Sequence, residues 1–572
     1  MNEWSKAPGE NTLPQPETRG LNLYRADPSV RALLRLYLAD DERIHMEPTF
    51  ERLGDLVGDR LDDLAHAADR NPPRLSSRDR QGRDRQSLER HPSYRELERM
   101  AYGEFALAGL SHRPAFGWNA PLSPHTKYAL TYLFAQSEFG LLCPVNMTDS
   151  LTRTIRRFAD DALLDRFLPD LLTDDPERLT QGAMFMTERF AGSDVGATET
   201  RAVKEGDHWR LYGDKWFCSN ADAGIVLVLA RPEGAGEGTG GLGLFLMPRL
   251  LGDGAPNHFR IVRLKDKLGT RSMASGEIVL EGAVSYLVGD LADGFKQMAE
   301  MMNQSRLSNG VRSAGMMRRA AHEAFAVACG RQAFGQRLID LPLVRRQLAK
   351  MILPAEQALS MAFFTGECLA KADEGDAEAQ TLRRILTPLI KFRACRDARK
   401  VAGDAMEMRG GCGYVEEWIE SRLVRDTHLG SIWEGTSNIV ALDVVRACRK
   451  ARAHEALAAA LEPMIAAAPE PLRGHLEERL AASMELAGRV AAADGGKDAL
   501  ARQAATALYN VTTAALFCRE AERLSSPVRL ALAELALRHR LSAQDPIAAD
   551  AAGDAAAVDV VLNHLLEARA TA

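Results

Sequence analysis

"MFMTERFAGSDVGATET", Met184 to Thr200, lies where the texture of the chain changes. Before it, Leu and Val recur at three- and four-residue spacing in "VRALLRLYLADDE", "TFERLGDLVGDRLDDLAHAAD", "KYALTYLFAQSEFGLL" and "DALLDRFLPDLL". That is the period of amphipathic helices. After it come "HWRLYGDKWFCS", "GIVLVLARP", "GLGLFLMPR", "FRIVRLKDK" and "GEIVLEGAVSYLV", short runs rich in β-branched and aromatic residues and parted by Gly, Asp and Pro. Their alternation predicts an antiparallel β domain of roughly a hundred residues, a small barrel or sandwich. From Gly294 the helical period returns, with Leu307, Val311, Ala314, Ala321, Phe325 and Ala328 on one face of a very long helix. Further long apolar-faced helices joined by short loops predict an up-down bundle.

The predicted fold class is a multi-domain α+β protein: an N-terminal arm over 1–27, a helical domain over 28–180, a middle antiparallel β domain over 181–290, a four-helix bundle over 291–450, and a C-terminal helical extension over 451–572. The polar, turn-rich stretch Asn71 to His91, "NPPRLSSRDRQGRDRQSLERH", reads as a long solvated loop. A chain of 572 residues exceeds one ordinary core and requires several domains. With 46% hydrophobic and 26% charged residues it has a globular composition.

A net charge of −6 excludes a chain-wide basic field for nucleic acid. The extension carries 12 Lys or Arg against 16 Asp or Glu, so it adds no basic surface. Eight Cys stand singly with no CxxC pair, so neither a zinc ribbon nor a disulfide framework is indicated, and no metal is expected. A polar N-terminus without an apolar signal core, and the lack of a run of about 18 apolar residues, predict a cytoplasmic chain with no membrane span.

"GTGGLG", Gly238 to Gly243, matches GxGxxG by letter. The dinucleotide fingerprint needs a strand before and a helix after. Here a Gly/Glu-rich loop precedes and "LFLMP" follows, which predicts a hairpin loop.

Five stretches can carry chemistry. The opening one offers hydroxyls (Thr187, Ser193) and exposed backbone at Gly192, suited to a polar ring edge or a phosphate, or equally to a capped turn. "YGDKWFCSN" puts Phe217 and Ser219 on a strand, where they suit a planar ligand or ordinary packing. "GRQAFGQRL" flanks Phe334 with Arg331 and Arg337, a phosphate and stacking pair or simply a helix C-terminus. "MEMRGGCGYVEE" holds Glu407 and Gly411, a close backbone approach or a helix stop. "SIWEGTSN" places Glu434 at a loop-to-helix junction, as an N-terminal charge or as a general base in a dry pocket.

In this order the pieces resemble the acyl-CoA dehydrogenase family. Thr187, Glu188, Gly192, Ser193 and Asp194 match its T-E-x-x-x-G-S-D; Phe217 to Asn220 match its W-I-T-N strand; "KLGTRSMASGEIVLEG" matches K-x-G-x-R-x-S. Arg331, Phe334 and Gly335 match R-x-x-F-G; Gly410, Gly411, Gly413 and Tyr414 match G-G-x-G-Y; Trp433 to Thr436 match Y-E-G-T. "MTERFAGSDV", "RSAGMMRRA" and "SIWEGTSNIVALDVVR", with Asn71, Arg83 and His91 upstream, look like the AidB-like branch of the adaptive alkylation response.

The resemblance implies FAD between the β domain and the bundle, lined by Met186, Thr187, Gly192, Ser193, Phe217, Ser219, Thr436 and Asn438. It implies that Arg331, Phe334, Glu407 and Gly411 reach the FAD of a neighbouring subunit, hence a homo-oligomer, a dimer of dimers. It implies an acyl-CoA-like thioester substrate held by Arg306 and Trp433, with Glu434 taking the α-proton while the β-hydride passes to flavin N5. The electron acceptor is not implied. The alternative it carries is a flavoprotein that binds duplex DNA in the alkylation response, with weak or vestigial dehydrogenase activity. The acidic extension does not support that, unless Arg446, Arg449, Lys450 and Arg452 cluster.

Overall fold

The computed structural model describes residues 15–175, 177–493, 498–543, 547 and 554–572. The first part of the expected arm, 1–14, lies outside the described residues, as do parts of the expected breaks "ADGGKD" and "SAQDP". Residues 15–27 run along the protein. Leu23 and Tyr24 are buried, and Thr18 Oγ1 donates to Glu323 at 2.5 Å.

Seven helices form the first layer: α1 (Pro28–Tyr37), α2 (Asp40–Val57), α3 (Arg60–Arg70), α4 (Pro92–Glu98), α5 (Pro124–Phe134), α6 (Leu142–Phe158) and α7 (Asp161–Leu172). Asp27, Ser123 and Asp160 start α1, α5 and α7 by accepting from first-turn N–H groups, and Pro fills the first position of α1 and α5. Between α3 and α4 the expected loop is instead an antiparallel hairpin, β1 (Arg74–Arg78) and β2 (Asp84–Glu89). Polar strands without apolar alternation hid it. Its turn holds Gly82 at φ +82°, and Gln86 ties it to the β domain by bonding the Ile261 N–H and the Arg249 guanidinium.

The middle domain is a seven-stranded sheet: β3 (Gly182–Phe185), β4 (Arg201–Glu205), β5 (His208–Ser219), β6 (Ile225–Pro232), β7 (Gly243–Pro248), β8 (Phe259–Leu264) and β9 (Ser275–Leu287). Most pairings are antiparallel, as expected. β6 pairs in parallel with both β3 and β4, which alternation cannot reveal. The "GTGGLG" stretch is the turn between antiparallel β6 and β7.

The bundle comprises α8 (Gly294–Gly330), α9 (Pro342–Asp373), α10 (Ala377–Arg409), α11 (Ile419–Gly430) and α12 (Ser437–Ala451). The extension adds α13 (Ala453–Ala466), α14 (Leu472–Ala492), α15 (Ala501–Leu524), α16 (Pro527–Ala536) and α17 (Ala555–Ala570). One apolar core runs from α1 through the bundle into the extension, and a second joins α6 and α7 to the sheet. Trp433 packs against both, so the turn that carries it lies at their seam.

Candidate active site

The turn between α11 and α12 positions Glu434. Its φ is +56°, and Gly435 follows at +98°. A left-handed conformation costs a non-Gly residue about 1–3 kcal/mol and persists only where its surroundings impose it. Here Arg306 Nε donates to the Glu434 carbonyl at 3.0 Å, and Lys391 Nζ to the Gly435 carbonyl at 2.5 Å. A Cβ on residue 435 would come within 3.4 Å of Ile439, Val440 and Arg306, so the glycine admits this close approach. Arg306 also pairs with Asp443 at 2.8 Å, and Arg384 grips the same carboxylate at 2.6 Å. Burial works against the charged form of Asp443, but Arg384 and Arg306 outweigh it and hold the carboxyl below its usual range.

The Glu434 side chain is asymmetric. Oε1 accepts from the Ser305 hydroxyl, and Ser305 accepts from Asn146 Nδ2 at 2.9 Å. Oε2 is buried and has no hydrogen-bond partner among the described residues. Arg312 Nη2 stands 3.8 Å from Oε1. The Phe139 and Trp433 rings wall the site with centroids 5.5 Å apart, and the Arg312 guanidinium is 5.2 Å from each.

Cys143 of α6 links this pocket to the β domain. Burial pushes its thiol up to about 11, against the pull of Arg312, Lys267 and the Ser219 hydroxyl and with the push of Glu434. Lys267 donates to the Met273 carbonyl at 2.6 Å and to Ser275 Oγ at 3.2 Å, and burial lowers it to about 8.

The β-domain side presents Met186, Thr187, Phe217 and Ser219. The Thr187 carbonyl accepts from the Trp216 N–H at 2.9 Å, and Phe217 is 56% exposed, with Lys265 Nζ 4.7 Å from its ring. Behind them Glu188 pairs with buried Lys215 at 2.7 Å and accepts from Thr200 and the Glu199 N–H. That pair fastens the loop on which Gly192 and Ser193 stand exposed.

Thr436 precedes α12 without capping it through its side chain, and Asn438 is exposed beside it, so among the described residues the first-turn N–H groups lack a side-chain partner. An exposed aromatic face and a helix N-terminus uncapped among the described residues suit a flavin ring with an anionic tail. The residues fit FAD.

Arg331, Phe334, Glu407 and Gly411 gather elsewhere, where α8 and α10 end. Arg331 Nη1 donates to the Arg409 carbonyl at 2.9 Å, and Phe334 is 93% exposed at φ +54°. Among the described residues no hydrogen bond joins them to the Glu434 cluster. The Arg306 guanidinium engages Asp443 and the Glu434 carbonyl, so it shapes the turn. Arg446, Arg449 and Arg452 are likewise engaged: Arg446 lies 3.8 Å from Asp443, Arg449 donates to the Ala491 and Ala493 carbonyls, and Arg452 pairs with Glu455 at 2.8 Å. Sequence reading missed Asn146, Ser305, Arg312 and Lys391. For Arg312 the available signal was a charged residue inside a helix buried on every side.

Three family models match the chain in succession: the AidB N-terminal domain over residues 14–177, the acyl-CoA dehydrogenase middle domain over 183–283, and its C-terminal domain over 292–448. The chain belongs to the acyl-CoA dehydrogenase family of FAD-dependent oxidoreductases. Within it the chain falls in the AidB-like branch. It is 36% identical over 400 residues to the putative acyl-CoA dehydrogenase AidB of Escherichia coli, covering 68% of this chain and 71% of that one. It is 32% identical over 441 residues to acyl-CoA dehydrogenase family member 11 of Caenorhabditis elegans, covering 74% and 70%. The crystal structure of Caenorhabditis elegans ACDH-11 in complex with C11-CoA superposes with a TM-score of 0.87 at 27% identity, covering 95% of this chain and 94% of that one. No helix among the described residues is long and apolar enough to cross a membrane.

Proposed function

We propose that this chain oxidises an acyl-CoA thioester across its α and β carbons, with Glu434 as the base. The observation that carries this is the asymmetric carboxylate: one oxygen anchored by Ser305, the other buried and unpartnered among the described residues. A base so held takes a proton through Oε2 without reorienting, and general base catalysis contributes about 10²–10⁴-fold. Asn146 and Ser305 orient the carboxylate, Arg306 and Lys391 hold its backbone, and Trp433 and Phe139 exclude water. FAD would supply the acceptor for a hydride leaving the β carbon, so that the α–β bond could become double. Met186, Thr187, Gly192, Ser193, Phe217, Ser219, Thr436 and Asn438 would hold it. The C11-CoA bound to the Caenorhabditis elegans relative supports a thioester ligand.

The exposed patch of Arg331, Phe334, Glu407 and Gly411, with Tyr414 85% exposed beside it, would meet a second copy of the chain and its FAD. Anaerobic bleaching of the flavin by a panel of acyl-CoA thioesters tests the reading. Bleaching that Glu434→Gln abolishes is the expected result; a flavin-loaded protein that no thioester reduces would overturn it.

A further inference from the structure

The mechanism above leaves Arg312 without a task. Its side chain is fully buried, and it lies on α8 between the Phe139 and Trp433 rings. Nε donates to the Ser308 carbonyl at 3.3 Å, but neither Nη1 nor Nη2 makes a hydrogen bond among the described residues. Two more orphaned polar atoms adjoin it: Trp433 Nε1 and Glu434 Oε2. Buried polar groups nearly always find partners, and a cluster of orphans marks the place where a polar ligand sits. Three of these four atoms are nitrogens that can only donate, so the ligand must bring acceptors. A planar guanidinium with two free Nη groups matches the two oxygens of a carboxylate.

The charges around Arg312 point the same way. Lys391, buried, and Lys267, half-buried, are cations near the pocket, with Glu434 as the facing anion. Arg306 is already balanced by Asp443. A second carboxylate would complete a pocket that is rich in positive charge. An alkyl chain would instead leave both Nη groups desolvated without a hydrogen bond, facing Glu434 only across 3.8 Å, a costly arrangement for a buried ion.

We infer that Arg312 makes the acyl end of this pocket specific for a thioester whose acyl group carries a carboxylate, recognised through Nη1 and Nη2. The inference rests on the dehydrogenase reading and names its substrate class.

Binding separates the two. The FAD-loaded protein is titrated calorimetrically with matched thioesters of one chain length, one ending in a carboxylate and one in a methyl group. Each has sulfur in place of the β carbon, so no hydride can leave. The wild type is expected to bind the carboxylated thioester at least about tenfold more tightly, and Arg312→Met to reverse that order while keeping its flavin. Arg312→Lys, which keeps the charge and loses the fork, should recover part of the preference. Equal or tighter binding of the methyl-ended thioester by the wild type overturns the inference and leaves the dehydrogenase reading standing. So does an Arg312→Met protein that weakens both thioesters alike or loses its flavin. A flavin-loaded wild type that binds neither thioester sinks the dehydrogenase reading, and this inference with it.

Discussion

Arg312 and Arg318 sit six residues apart on the same helix, both buried, and their surroundings are opposite. Arg318 Nη2 meets Glu356 at 2.5 Å, while Nε meets Asp27 at 3.2 Å and Tyr132 Oη at 2.8 Å. Glu356 also takes Arg529 at 3.0 Å and the Ser29 hydroxyl at 2.8 Å, and Arg529 reaches Glu520 at 3.2 Å. One network thus ties the segment before α1, the bundle and the extension into a single body. Burial opposes the charged form of Glu356, yet Arg318 and Arg529 hold it at about 2. Among the described residues, the one carboxylate oxygen paired with Arg312 is Glu434 Oε1, at 3.8 Å. A buried cation surrounded by carboxylates supports architecture. A buried cation whose Nη groups make no hydrogen bond among the described residues can take a carboxylate from a ligand, as inferred for Arg312.

The largest expected break in this contrast is at the pocket. Glu434→Gln should slow thioester-driven flavin reduction by about 10²–10⁴-fold in stopped flow while leaving the unfolding temperature unchanged. Loss of stability without loss of rate would move Glu434 to the architectural side. Next, Glu356→Ala takes from Arg318 and Arg529 the carboxylate they share, leaving them Asp27 and Glu520, and should cost about 3–5 kcal/mol in denaturant unfolding. Arg312→Met, by contrast, removes a charge whose facing carboxylate among the described residues stands 3.8 Å away, and should cost clearly less; a comparable loss there would erase the distinction. Ser305→Ala frees the anchored oxygen, and about 1–2 kcal/mol of orientation should be lost, a roughly tenfold fall in kcat with KM held.

The smallest effect concerns pH. Burial raises Glu520 and Asp426 to about 7 from ordinary values of 4.5 and 3.8. The folded state therefore keeps protons that the unfolded chain has released. Stability from these groups is greatest below the unfolded values and declines as pH rises from about 4 to 7, then levels off. Glu356 and Asp149, both held at about 2, act in the opposite sense, and their stabilisation is lost as pH falls below about 4. Unfolding temperatures should therefore peak on the acid side of neutrality. Glu520→Gln should flatten the slope between about pH 5 and pH 7, and an unchanged slope would show that Glu520 is not its source.

The turn at Glu434 was legible because its marker is local. Gly435, at φ +98°, is a backbone requirement, as is Gly410 at φ +76°, and a backbone requirement shows in consecutive letters. The hairpin at 74–89 was not legible, since polar strands carry no alternation and its hold on the β domain comes from Gln86. The task of Arg306 was also hidden, because its partner Asp443 is 137 residues away.

By itself the sequence determined the succession of helical, β and bundle segments, the family, and Glu434 as the carboxylate in question. These follow from periodicity and from residues whose own conformations demand them. The tertiary structure alone decided which oxygen of Glu434 is anchored, that Asn146 and Ser305, 159 residues apart, anchor it from two helices, and that among the described residues Arg318 is hydrogen-bonded to a carboxylate while Arg312 is not. Both arginines read alike as letters in one helix. Their difference arises from the elements packed against each face, and hydrogen-bond partners at that distance leave no local trace.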